Sequence, residues 1–115
     1  MKTLERTPIL PNDRKAITDA ISQLRRQFPI EHAILFGSKV RGDDDEYSDI
    51  DLLLITSYKL HWKAKRAISD LLFDVGMKYD VIFSFLCVPR GEWNGGIFTT
   101  FPIYKEILRE GASVL

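Results

Sequence analysis

Ile17, Ala20, Ile21, Leu24 and Phe28 recur at spacings of three and four, the period that gathers apolar side chains on one face of a helix. Asn12 or Asp13 can cap such a helix, and Pro29 stops it near Phe28. The apolar run His32 to Phe36 then reads as a short strand that ends at Gly37. Ser38 to Arg41 begin a short helix closed by Gly42, and residues 43 to 48 form a polar loop. A second strand is predicted over residues 49 to 55, where Ile50 and Leu52 to Ile55 make a buried run. The stripe Ala64, Ala67, Ile68, Leu71, Leu72 and Val75 predicts a helix from about Leu60 to Val75, with Gly76 as its terminator. Residues 80 to 86 read as a third strand, Pro89 to Gly96 as a turn-rich loop. Pro102 opens a last helix through Ile103, Ile107 and Leu108 to Gly111.

The order is helix, strand, strand, helix, strand, helix. It implies an α/β (α+β) unit, a small mixed sheet packed with helices. The link between the first two strands is too short for a helical crossover, so they should pair antiparallel. At 115 residues, the chain suits a single domain over residues 1 to 115, with an irregular lead-in at 1 to 11. Hydrophobic residues make up 45%, enough for a packed core. Lys plus Arg equals Asp plus Glu at 16 each, which argues against general nucleic-acid binding. A single cysteine, Cys87, excludes an internal disulfide and fits a reducing compartment. No apolar run reaches the length of a membrane span, and the first residues lack the apolar core of a signal peptide. A cytoplasmic protein is expected.

The chemistry concentrates in GSKVRGDDDEYSDID, residues 37 to 51. Asp49 and Asp51 enter the second strand as Asp-x-Asp. Strand side chains alternate, so both carboxylates should leave the same face. Paired carboxylates suit a hard divalent cation better than a core. Gly37 lets a backbone approach a phosphate closely, and Ser38 adds a hydroxyl and an amide at a helix start. Of the two nearby cations, Lys39 and Arg41, Arg41 is the preferred contact for a triphosphate tail. Asp80, placed at the start of the third strand, is the candidate third carboxylate, as ligand and as general base. Two divalent ions about 3.5–4 Å apart could then clamp the attacking and leaving oxygens. A lone Gly-Ser or Asp-x-Asp is commonly a solvated turn; the combination carries the reading. The acids Asp43, Asp44, Asp45 and Glu46 read as a solvated loop. His32 and His61 have no zinc spacing, Trp93 reads as a hydrophobic anchor and Cys87 as inert.

At these residues the chain resembles the minimal nucleotidyltransferases of the DNA polymerase β superfamily. Gly37, Ser38, Asp49, Asp51 and Asp80 match the motif in order, and residues 102 to 111 resemble the closing helix of the small members. The resemblance implies a palm-like mixed sheet and transfer of a nucleoside monophosphate, with two Mg2+ ions and release of pyrophosphate. Stand-alone members often act as antitoxins, moving AMP from ATP to a tyrosine of a HEPN ribonuclease toxin. Gly37 and Ser38 would then hold the triphosphate, Asp49 and Asp51 the metal, and Asp80 would complete the site.

Two other functions compete. A nucleotidyltransferase acting on a small molecule such as an aminoglycoside would need an acceptor pocket, from a further domain or a homodimer. An antitoxin acting by contact alone could dock through Ile103, Tyr104, Ile107 and Val114. The sequence leaves the oligomeric state open.

Overall fold

Five strands form one sheet in the order β1-β5-β2-β3-β4. They are β1 (Lys2–Thr3), β2 (Ile30–Phe36), β3 (Ile50–Thr56), β4 (Phe83–Pro89) and β5 (Ala112–Ser113). The helices are α1 (Pro11–Gln27), α2 (Ser38–Arg41), α3 (Trp62–Tyr79), α4 (Arg90–Gly95) and α5 (Pro102–Glu110). These assignments come from a computed structural model that describes residues 1–42 and 49–114. The acidic run Asp43 to Glu46 lies outside the described residues.

Strands β2 and β3 pair antiparallel, as their short link requires. Strand β4 pairs parallel with β3, and α3 supplies the crossover that a parallel pair needs. The sheet is mixed, in keeping with the expected fold class. Its two faces are both covered. Ala16, Ile17, Ala20, Ile21 and Leu24 of α1 and Ile68, Leu72 and Val75 of α3 pack on Ile50, Leu52 and Leu54. The opposite face buries Ile34, Leu53, Ile55 and Val88 beneath Ile107 of α5, with Trp93, Phe98 and Ile103 around them. Burial on both faces explains why β3 is a continuous apolar run rather than an alternating one.

Several boundaries differ from the sequence expectation. Helix α1 starts at Pro11, with Leu10 in extended conformation at the cap position. Asn12 and Asp13 are drawn elsewhere: the Asn12 amide donates to the Tyr79 carbonyl at 2.8 Å, and Asp13 pairs with Lys39. Helix α3 runs past Gly76 to Tyr79. Gly76 serves the returning chain, since a Cβ there would stand 2.5 Å from the Val81 carbonyl oxygen. The third long strand therefore begins at Phe83, three residues later than expected. The chain ends also join the sheet, β5 lying between β1 and β2; the lead-in is thus partly strand. The loop after Pro89 contains the short helix α4.

Candidate nucleotide-binding site

The second residue of β3, Asp51, lies between Phe36 of β2 and Ser84 of β4 in the ladder. Alternation puts it on the face of Leu53 and Ile55, opposite Ile50, Leu52 and Leu54. Asp49 precedes the strand by one residue and is exposed, whereas Asp51 is half-buried. The Asp-x-Asp pair thus stands at the mouth of the second face, beyond the apolar layer that α5 covers.

The Gly-Ser turn is built against this carboxylate. Gly37 follows the last residue of β2 with φ 82° and ψ −155°, a conformation that side chains resist. A Cβ at Gly37 would also collide with Asp51 Oδ2. The backbone therefore passes directly over the carboxylate, and Ser38 opens α2 beside it. The Gly37 carbonyl accepts from the amides of Val40 and Arg41, each at 3.2 Å. The amides of Ser38 and Lys39 stand at the start of this helix. Gly42, in left-handed conformation with φ 79°, closes α2 and donates to the Ser38 carbonyl at 3.0 Å.

The two cations of the turn have separate surroundings. Lys39 Nζ is 3.0 Å from Asp13 Oδ2, with side-chain exposures of 4% and 6%. The geometry is that of an ion pair rather than an aligned hydrogen bond. It pins α2 to the first turn of α1. Arg41 Nη1 lies 3.1 Å from Glu110 Oε1 and ties α2 to the end of α5, while 44% of its side chain remains exposed. Arg41 is therefore the more accessible of the two.

Asp80 is not where the sequence reading put it. It is the C-terminal cap of α3, in left-handed conformation with φ 57° and ψ 48°. The β4 residue facing Asp51 is Ser84, four positions further on. Asp80 instead lines an open groove of about 880 Å³ with Leu10, Asp13, Lys39, Phe73 and Met77. Its expected place beside the carboxylate pair rested on a strand starting at residue 80. Among the described residues, no group of three or more His, Cys, Asp or Glu side chains converges as a metal site.

Ser84 is the site residue that sequence reasoning missed. Its hydroxyl donates to Asp51 Oδ1 at 2.5 Å. The signal was present: Ser84 is the one polar residue in the run Val81 to Val88. Elsewhere, burial pushes the Cys87 thiol up to about 11, despite an opposing pull from Lys65, so its partly buried surroundings disfavour the thiolate. Trp93 packs against Tyr104, with ring centroids 4.8 Å apart, and against Phe98. It anchors its segment to α5. No helix among the described residues is long and apolar enough to cross a membrane.

Comparison with known proteins bears on the family and the fold. The polymerase beta nucleotidyltransferase family matches residues 19–88, which include the turn, the Asp pair and Ser84. A candidate protein adenylyltransferase of Methanocaldococcus jannaschii is 30% identical over 102 residues, covering 87% of this chain and 95% of the relative. A second from the same organism is 38% identical over 55 residues, covering 48% and 56%. Among solved structures, a toxin–antitoxin crystal structure with AMP-PNP superposes with a TM-score of 0.62 at 16% identity, covering 92% of this chain and 73% of that one. A tri-AMPylated Shewanella oneidensis HEPN toxin in complex with its MNT antitoxin gives a TM-score of 0.57 at 16% identity, covering 89% and 71%. At these identities the structural likenesses speak for the fold; the extent of the family match, over more than half the chain, carries the assignment. The chain belongs to the polymerase beta nucleotidyltransferase family.

Proposed function

We propose that this protein transfers AMP from ATP to a hydroxyl group of a partner protein, a tyrosine of a HEPN-type toxin, and thereby acts as its antitoxin in the cytoplasm. The observation that carries the reading is the close stacking of the Gly37 backbone on the Asp51 carboxylate. It brings a helix-start turn for phosphate and a carboxylate pair for a cation to one place. The names of the similar proteins, an adenylyltransferase and an antitoxin beside an AMPylated toxin, support the choice of donor and partner.

Asp49 and Asp51 offer hard oxygen donors on one face, open to solvent on the Asp49 side, and this donor set fits Mg2+. When bound there, the metal would neutralise charge on the polyphosphate and on the leaving pyrophosphate. The Ser38 amide and hydroxyl, at the start of α2, would cradle phosphate oxygens. Arg41, half in solvent, reaches toward the triphosphate tail. The acceptor oxygen attacks the α-phosphorus, the bond to the bridging oxygen breaks, and pyrophosphate departs as the hydroxyl proton passes to solvent. The residues thus position and neutralise, which is most of what such transfer demands.

The test is an intact-mass measurement on a HEPN-type toxin from the same organism, after incubation with ATP, Mg2+ and this protein. A gain of one or more AMP units supports the reading. A toxin that is bound and silenced but gains no mass would replace it with neutralisation by contact, and a gain only on a small hydroxylated acceptor would move the activity to that class.

A further inference from the structure

Ser84 occupies the one position of β4 that faces Asp51 across the parallel ladder, on the face that carries Leu53 and Val88. We propose that Ser84 is a positioning residue for the metal-binding carboxylate. Its hydroxyl fixes the rotation of Asp51 and stands in the place where a further acid would otherwise complete the site. This inference rests on the reading of Asp49 and Asp51 as metal ligands.

The geometry constrains Asp51 from both sides. Ser84 Oγ donates to Oδ1 at 2.5 Å, a short charge-assisted bond to an ionised carboxylate. Oδ2 lies against the Gly37 backbone, where no side chain fits. The carboxylate is therefore locked in one orientation, and a lone pair on each oxygen is left for a cation. Asp49, exposed and ahead of the strand, has no comparable partner in the ladder. Ser84 itself is exposed, so its side chain contributes little to the core, and its replacement should leave the fold intact. A hydroxyl here adds no negative charge. The described part of the site consequently presents two carboxylates to the metal, rather than the three expected from sequence.

The test is Mn2+ binding in the presence of a non-hydrolysable ATP analogue, followed by the loss of the free-ion spin-resonance signal. Wild type, Ser84→Ala, Ser84→Thr and Asp51→Asn would be compared, with thermal unfolding of each as a folding control. Removal of a hydrogen-bond partner behind a metal ligand commonly costs about 10–100-fold in affinity. Ser84→Ala is expected to weaken Mn2+ binding by about tenfold, while Ser84→Thr, which keeps the hydroxyl, restores most of it. Wild-type affinity in Ser84→Ala, or equal loss in Ser84→Ala and Ser84→Thr, overturns the positioning role and leaves the Asp pair standing. Wild-type affinity in Asp51→Asn, or no Mn2+ binding by wild type, overturns the metal site itself and this inference with it.

Discussion

The two faces of β3 are made by one run of residues and do opposite things. Toward α1 and α3, Ile50, Leu52 and Leu54 are completely buried among aliphatic side chains. Toward α5, the alternating set begins with Asp49 and Asp51 and only then becomes Leu53 and Ile55. The first face is a foundation in which each buried leucine contributes about 1.5–3 kcal/mol. The second gives up apolar burial at its mouth to hold charge. A strand anchored this firmly from behind can carry carboxylates in front without losing its register. Stability and chemistry are therefore separable by substitution, since alternate residues serve one or the other.

The widest separation is expected from Asp51→Asn against Leu52→Ala. Asp51→Asn should lower the rate of AMP transfer by about three orders of magnitude, roughly the scale of a lost charge-stabilising group, and barely change the unfolding midpoint in urea. Leu52→Ala should cost about 2–5 kcal/mol of stability, visible as a lower urea midpoint, while the folded fraction keeps its activity. Joint loss of both properties in either variant would show that the faces are not independent.

Gly37→Ala sits between these cases. It forces a side chain into a φ of 82° and onto Asp51. Strain of this kind costs about 1–3 kcal/mol, and the displaced carboxylate should also lower transfer by about a hundredfold, near the cost of misplacing a reacting group. The buried Lys39–Asp13 pair belongs to the foundation, although its lysine comes from the motif. Asp13→Ala should destabilise by up to about 3 kcal/mol, since buried Lys39 then loses the carboxylate 3.0 Å away. Its transfer rate should fall far less than that of Asp51→Asn.

The smallest effect concerns pH and the far end of α3. Hydrogen bonds from Gln23, Tyr79 and Lys78, in that order, lower Asp19 to about 2. A carboxylate held below its ordinary value of 3.8 adds stability that is complete above that value and fades as pH falls toward 2. Asp19→Asn should therefore matter at pH 7 and converge with wild type near pH 2, as followed by circular dichroism. Asp19 is near the surface, so the difference should be slight.

Much of this division was legible in the sequence. The stripes of α1 and α3, the two central strands and their antiparallel pairing all follow from periodicity and link length. The Gly-Ser turn and the Asp pair were found because their residue types are poor choices for a core. What escaped depended on contacts distant in sequence. Strands β1 and β5 have two residues each, too few for a period to show. Gly76 has the signature of a helix end, yet its role is to admit the Val81 carbonyl. That one misreading moved the third long strand forward and gave Asp80 a place that the ladder assigns to Ser84. No local pattern could reveal that Lys39 pairs with Asp13 and Arg41 with Glu110.

The most direct test compares Asp51→Asn and Asp80→Asn in one assay, the rate at which the partner toxin gains AMP from ATP with Mg2+. The geometry predicts a loss of about a thousandfold for Asp51→Asn and a rate within about threefold of wild type for Asp80→Asn, because Asp80 caps α3 away from the ladder position beside Asp51. A near-wild-type rate in Asp51→Asn, or a collapse in Asp80→Asn, would contradict a site centred on the mouth of the second face.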